Sequence, residues 1–293
     1  MTLDATARAP WCVSVPSSAA IARAHLVLDG ECELKAGNEE PVRLKAGEIA
    51  VIARGDAHLI GSSVDGDPKP LSTLVKTPIP GELVPVALGD SGPATRWIAL
   101  TLIFERHLAE PLLSALPPVT RVDLNNASAL YWLTDALGLT LSASSAPPVG
   151  ASAERSRLAE LVVIEALSRH IYWLPPGGTG WLAGLNDLYV GRALALVHGR
   201  PEEPWTVERL GRHVGLSRSA LAERFSQVMA EPIFTYLTRW RLHLAADYLL
   251  TTRRSVESIA HDAGYESASA FSQAFKRVFG KPPSMWRRKT RRR

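Results

Sequence analysis

Near its C-terminal end the chain writes one helical pattern twice, and the two copies align residue by residue with a single-residue slip. The first copy places Leu210, Gly215, Leu221, Phe225 and Pro232 where the second places Ile259, Gly264, Phe271, Phe275 and Pro282. In each, an apolar residue precedes a glycine by five positions, the spacing of a short helix that turns sharply into another. Glycine suits that corner because it adopts a left-handed backbone without steric cost. Beyond the corner, apolar pairs at i and i+4 share one buried stripe and leave the opposite face polar. The pattern predicts two helix-turn-helix units, each presenting a short polar helix face of the kind that enters a DNA major groove.

Charge follows the duplication. Residues 1–184 hold 14 Lys and Arg against 19 Asp and Glu, a net −5, whereas residues 185–293 hold 19 against 10, a net +9. A basic half beside an acidic one is the footprint of a protein that neutralises phosphates with one part only. A basic solvated tail accounts for the closing RRKTRRR but not for the repeat.

At 293 residues the length suggests about two domains. The chain has no apolar run long enough to span a bilayer, and MTLDATARAP lacks the basic start and apolar core of a secretory leader, so a cytoplasmic location is expected. The two cysteines, Cys12 and Cys32, lack C-x-x-C spacing. They read first as small buried hydrophobes, with a redox-sensing pair as the alternative.

Short apolar or alternating segments at 25–28, 32–34, 42–44, 49–53 and 97–104, separated by Gly- and Asp-rich turns, predict a small barrel or sandwich. Helical periodicity takes over at 126–142 and 153–173. In the second stretch Leu158, Leu161, Val162, Glu165, Ala166 and Arg169 define the expected stripe, widened by Ile164, Leu167 and Ile171. SASSAPPVGASA between them reads as a flexible connection, and Pro175-Pro-Gly-Gly-Thr-Gly breaks the second helix. Thereafter 188–198 reads as helix, and Thr206 and Ser255 read as N-caps, each with an acid two positions later. Pro232 opens a long helix over 233–250 with an expected stripe of Ile233, Leu237, Trp240, Leu244 and Tyr248. That helix spans about 27 Å at ~1.5 Å per residue. Successive major grooves on one face of DNA repeat at about 34 Å, so two recognition helices on one such spacer could reach neighbouring grooves.

The paired motifs, Arg239-Trp-Arg with Ala245-Ala246, Gly264-Tyr-Glu-Ser267 and Phe275-Lys-Arg-Val-Phe-Gly-Lys-Pro-Pro resemble the AraC/XylS family of bacterial transcriptional regulators, over roughly residues 185–287. The resemblance implies binding to an asymmetric promoter site and control of transcription in response to a signal.

Helical geometry turns Arg218, Ser219, Ala222 and Glu223 outward on the first recognition helix. On the second, Ser267, Ala268, Ser269, Ser272 and Gln273 face outward while Phe271 and Phe275 pack. The resemblance places base contacts on the same face. Glu223 departs from many members, which carry a basic residue there; it either accepts from cytosine N4 or orients Arg218 or Arg224. Gln273 is the foremost candidate for direct readout, since glutamine pairs bidentately with adenine. Arg212, Arg224, Arg239, Arg241, Lys276, Arg277 and Lys281 are expected on phosphates, where they position without specifying.

His25-Leu-Val-Leu-Asp-Gly-Glu-Cys, Leu44-Lys-Ala-Gly-Glu and Ala53-Arg-Gly-Asp-Ala-His58 resemble a cupin-type sensor domain. His58 matches a metal-ligand position of that family, but the H-x-H pair and glutamate are missing, so neither metal nor cofactor is expected. His25, His58 and Trp97 are candidates to line an effector pocket; alternatively the barrel is packed shut and they are core residues.

The expected fold is therefore α+β and multidomain. A cupin-like β-barrel covers 1–124, a helical dimerisation or regulatory segment 125–174 and a linker 175–184. An all-α domain with two helix-turn-helix motifs joined by a linker helix covers 185–293. The expected function is that of a sequence-specific DNA-binding transcriptional regulator of AraC type, modulated by a small molecule or other signal at its N-terminal domain. Expected partners are double-stranded promoter or operator DNA, a second copy in a homodimer, RNA polymerase if the protein activates, and a small-molecule effector, with no membrane. The alternatives are a cupin-type metal-dependent oxygenase carrying a DNA-binding module, and a DNA architectural protein without sequence preference. No G-x-S-x-G, Walker loop or H-E-x-x-H occurs, and no catalytic residue is expected.

Overall fold

The computed structural model describes residues 2–18, 21–75, 83–89, 91–103, 106–125, 151–175, 177–200 and 203–288. The helix expected over 126–142, and most of the connection after it, lie outside these. The chain divides into two compact units: Met1–Phe104 with Leu116–Trp173, and Glu105–Ala115 with Leu174–Arg293.

The first unit is built on two sheets. Strands β1 (Thr2–Arg8), β3 (Ile21–Asp29), β6 (Glu48–Ile52), β9 (Leu83–Leu88), β10 (Ala94–Ile103) and β11 (Thr120–Asp123) form a six-stranded sheet ordered β11-β6-β3-β10-β1-β9. Strands β2 (Cys12–Val15), β4 (Glu31–Ala36), β5 (Val42–Lys45), β7 (His58–Gly61) and β8 (Lys69–Pro70) form a second, ordered β5-β4-β7-β2-β8. Most pairings are antiparallel, with parallel edges at β1·β9 and β2·β8. Alternation puts Leu3, Ala5, Ala7, Val27, Trp97 and Ala99 from the larger sheet against Val13, Val15, Leu34 and Ile60 from the smaller one. Trp11 and Trp97 stack at 4.3 Å with planes 8° apart in this core. All five residues of β6 are buried, as expected of a strand covered on both faces.

Helix α1 (Leu71–Leu74) follows β8, and α3 (Ala151–Tyr172) packs on edge strand β11. The face α3 buries is Arg155, Ala159, Val162, Val163 and Ala166, with Leu161 and Ile164 exposed. The expected stripe is thus out by about one residue. Apolar side chains surround this helix, and small Ala159 and Ala166 allow the closer approach.

In the second unit α2 (Arg106–Ala115) joins α4 (Trp181–Asn186), α5 (Leu188–Gly199), α6 (Val207–Val214), α7 (Arg218–Met229), α8 (Ile233–Thr251), α9 (Val256–Asp262), α10 (Ala268–Phe279) and α11 (Pro283–Arg288). Helix α4 begins inside the segment expected as linker. Helix α8 serves two cores. Its first half gives Ile233, Tyr236, Leu237 and Trp240 to a cluster with Leu210, Val214, Leu221 and Phe225, and its second half gives Leu242, Ala245, Ala246 and Leu249 to one with Ile259, Phe271 and Phe275. A single stripe fails on this helix because successive halves bury different faces; Leu244 and Tyr248 are only half-buried.

Candidate nucleic-acid interface

The two helix-turn-helix units are built alike to the level of single hydrogen bonds. Thr206 caps α6 by accepting from the Arg209 N–H at 3.1 Å, and Ser255 caps α9 through the Ser258 N–H at 3.0 Å. Gly215 and Gly264 sit at φ of 84° and 83°, the left-handed backbone a chain reversal requires. The next residue, Leu216 or Tyr265, donates its N–H back to the carbonyl five positions earlier, on Gly211 or Ala260, at 2.9 and 3.0 Å. Ser217 and Ser267 then cap the recognition helices through the Ala220 and Ala270 N–H groups. The single-residue slip falls in these turns: Leu216 alone separates Gly215 from its cap, whereas Tyr265 and Glu266 separate Gly264 from Ser267. Leu221 and Phe225 on α7 and Phe271 and Phe275 on α10 are fully buried, so each recognition helix is held by one stripe.

The opposite faces are open. Arg218, Ser219 and Glu223 on α7 are exposed and Ala222 is half-buried; on α10, Ser269 and Gln273 are exposed and Ser272 is half-buried. Glu223 and Gln273 occupy equivalent places in the repeat. Glu223 accepts from the Gln227 amide at 3.2 Å, while Arg224 turns to Asp187 instead, so Glu223 orients neither Arg218 nor Arg224 here. Two hydroxyls are already engaged: Ser267 as the cap, and Ser272, which donates to the Ala268 carbonyl at 2.7 Å.

The basic side chains divide in two groups. Arg212, Lys276, Arg277 and Lys281 are exposed on or beside the recognition units. Arg224, Arg239 and Arg241 are tied down within the protein. Arg224 meets the Asp187 carboxylate at 2.8 Å, and Arg239 grips Glu231 through both terminal nitrogens at 2.6 and 2.9 Å. Arg241, its pKa lowered by burial, donates to the Glu203 carbonyl at 3.3 Å and lies beneath Gly264, where a Cβ would come within 3.1 Å of its guanidinium.

In the first unit the structure brings His25 and His58 together. Their Nε2 atoms are 2.8 Å apart, and His58 Nδ1 lies 3.0 Å from the Asp56 carbonyl. Both are buried; burial pushes the His58 pKa down to about 4 and that of His25 well below the ordinary histidine value. The pair spends its Nε2 positions on each other, and among the described residues no third His, Cys, Asp or Glu completes a ligand set, so these side chains do not fit a cupin metal. His25 and Trp97 line a narrow apolar cavity between the sheets, whereas His58 lines an adjoining cleft that shares Val15 and Leu71 with it.

Residues 1–172 match the Cupin family and residues 210–289 the helix-turn-helix domain family. A putative AraC-like transcription regulator of Streptomyces antibioticus is 33% identical over 262 residues, 88% of this chain and 84% of that one. The chain belongs to the AraC-like transcription regulators, with a cupin domain ahead of the DNA-binding part. The transcriptional regulator AlkR of Acinetobacter baylyi is 28% identical over 91% of this chain and 88% of its own. The DNA-binding domain of the global transcriptional factor AdpA, solved with a target DNA, aligns over 36% of this chain and 95% of that one at 25% identity and a TM-score of 0.33.

Two features of this AraC-like chain escaped sequence reasoning. The Asp187–Arg224 pair joins residues 37 apart. No local pattern announces it, although Asp187 before an apolar run could have been read as an N-cap. Arg23 is the other. It faces the cavity two residues before His25 on the same side of β3, which strand alternation makes legible only once the strand is known to begin at Ile21.

Proposed function

We propose that this regulator reads DNA with α7 and α10 set into successive major-groove segments. Base edges would meet Arg218, Ser219, Ala222 and Glu223 on α7 and Ser269, Ser272 and Gln273 on α10, with Ser267 at its cap. Phosphates would fall to Arg212, Lys276, Arg277 and Lys281. Arg224, Arg239 and Arg241 take a structural part in this reading, since each already has a protein partner. The observation that carries it is the exposed polar face that remains on both recognition helices after the repeated core has been buried.

The first unit is the sensor in this reading, and residues 125–174 the segment through which two copies associate. Leu161, Ile164 and Tyr172 line one side of α3 and are 47%, 59% and 70% exposed, an apolar strip suited to a second copy. Among the described residues no helix is long and apolar enough to cross a membrane, in keeping with action on DNA in the cytoplasm. The mutually bonded histidines disfavour the oxygenase alternative, and the unequal faces of α7 and α10 disfavour an architectural role. Footprinting of the full chain on the region upstream of its own gene and its neighbours tests the reading. A discrete protected site that survives excess random duplex supports it, and uniform or absent protection refutes it.

A further inference from the structure

The duplication reaches back beyond the helix-turn-helix units. Gly215 and Gly264 are 49 positions apart, and the same offset lays α5 on the second half of α8: buried Ala193, Leu194 and Val197 fall on buried Leu242, His243 and Ala246. Each copy has a groove between this helix and the first helix of its motif, α5 with α6 and α8 with α9. The offset also matches their linings, pairing Arg192 with Arg241, Ala195 with Leu244, Gly199 with Tyr248 and His213 with Asp262.

The second copy closes its groove with its own side chains. Asp262 pairs with Arg254, whose guanidinium lies 5.8 Å over the Tyr248 ring, and Arg241 donates to the Glu203 carbonyl, which leaves room of about 40 Å³. The first copy does none of this. Ala195 and Gly199 stand where Leu244 and Tyr248 fill the other groove, His213 stands for Asp262, and about 460 Å³ remains open to solvent. Arg192 and Arg200 are exposed along it with no ion-pair partner among the described residues, and no acid is in its lining. His213 donates from Nδ1 to the Arg209 carbonyl at 2.8 Å and stands edge-on to Trp205, which holds its ring in place. The apolar part of the lining is Ala195, Leu196 and Gly199.

We infer that the open groove docks an acidic segment of a partner protein, with carboxylates on Arg192 and Arg200 and an aliphatic side chain against Ala195, Leu196 and Gly199. Charge and apolar lining together choose this occupant. Two guanidiniums without an internal carboxylate, beside an imidazole, are the means by which acidic motifs are recognised. The apolar lining offers nothing to a phosphate, but it covers an aliphatic side chain. No lining residue comes from α7, so the partner does not compete with DNA for the first recognition helix. The inference rests on the assignment of α7 and α10 to DNA.

The full chain, held on the duplex it protects, is titrated with a fluorescein-labelled peptide that alternates pairs of glutamate with leucine, and binding is read by anisotropy. Saturable binding is expected, with none for the same peptide carrying lysine in place of glutamate. Arg192→Ala with Arg200→Ala is expected to weaken the peptide by about tenfold or more, the loss of charge-assisted bonds. The salt slope of DNA binding should not move in that variant, whereas a groove that held two phosphates would lower it by about 2. Ala195→Leu with Gly199→Tyr introduces the second copy's side chains and is expected to weaken the peptide as much without any change of charge. Gly199 accepts a side chain, since nothing lies within 4 Å of its Cβ position. Absent wild-type binding, equal binding of the lysine peptide, undiminished binding in either variant that still protects DNA, or a lowered salt slope overturns the inference. Footprinting without peptide keeps the outcomes separate: intact wild-type protection with no peptide binding removes the docking assignment alone, and lost wild-type protection removes the regulator reading.

Discussion

The Asp187 carboxylate caps α5 through the Tyr189 and Val190 N–H groups and at the same time receives Arg224 of α7 at 2.8 Å, with the guanidinium over the Tyr189 ring. One side chain thus starts a helix and ties the first recognition helix to it. Burial opposes the charge on Asp187, but Arg224 and the two amides outweigh it and hold the pKa below the usual aspartate value. Asp187→Ala is expected to cost about 1 to 2 kcal/mol, the value of a lost cap with its partner left unpaired. Arg224→Ala should cost less, because Asp187 keeps its two helix amides while the arginine side chain is nearly half exposed. A depressed carboxylate pKa adds stability above its unfolded value and loses it as pH falls below roughly 3.9, so the Asp187→Ala deficit should shrink there. Denaturant midpoints of the two variants check the order; a larger loss for Arg224→Ala contradicts it.

The repeat contains one asymmetry of strain. Recognition helix α10 ends on Gly280 at φ 72°, whereas α7 ends at the equivalent place on Ala230 at φ 57°. A left-handed alanine costs roughly 1 to 2 kcal/mol, partly offset by the extra unfolded-state freedom of glycine. Ala230→Gly is therefore expected to stabilise by up to about 1 kcal/mol, and Gly280→Ala to destabilise by a similar amount. Calorimetric midpoints that move the other way in both variants would contradict this.

Acid should weaken the fold well above the range of the carboxylates. Burial lowers the pKa of both His58 and His198 to about 4. The unfolded chain takes up these protons near pH 6.5 and the folded chain only near 4, so stability falls as pH drops through that interval. At pH 5 the loss is about 2 kcal/mol for each histidine. His198 donates to or accepts from Tyr236 at 2.6 Å and stacks on Trp240 at 4.0 Å, so the effect reaches both units. Urea titrations at pH 7 and pH 5 that agree within about 0.5 kcal/mol are incompatible with this burial.

The two thiols should be slow to react. Cys12 and Cys32 are buried; burial raises both pKa values, that of Cys32 to about 12. The thiolate is the reactive form, so native labelling of Cys32 at pH 8 should lag the unfolded chain by on the order of a thousandfold. Rapid modification of native protein by a thiol reagent would restore the redox-sensing alternative.

Much of the second unit was legible because its signals are local. Gly215, Gly264, Thr206, Ser255 and the i, i+4 pairs state their conformations within a few residues. The strands at 25–28, 32–34, 42–44, 49–53 and 97–104 were legible for the same reason; four proved longer in the structure, and the fourth in order, 49–53, lies one residue earlier at Glu48–Ile52. What escaped needed tertiary information. Strand β1 points only Leu3, Ala5 and Ala7 inward, too little apolar mass to stand out; β9 contains Pro85, tolerable at a sheet edge; and α2 contains Pro111. The outward residues of the recognition helices followed from periodicity, but nothing in the sequence told the tied arginines from the open ones. Asp187, Glu231 and Glu203 lie 37, 8 and 38 residues from Arg224, Arg239 and Arg241.

Base reading by the second recognition helix is tested most directly through Gln273 and Arg277, both exposed on α10. Binding of wild type, Gln273→Ala and Arg277→Ala to a protected site, and to versions substituted at each base pair, is measured across a range of salt concentrations. Gln273→Ala is expected to relax discrimination at one or two positions, at roughly 1 to 3 kcal/mol, with the salt slope unchanged. Arg277→Ala is expected to weaken every sequence alike and lower the slope by about 1. Uniform loss across all sequences for both variants would contradict the account.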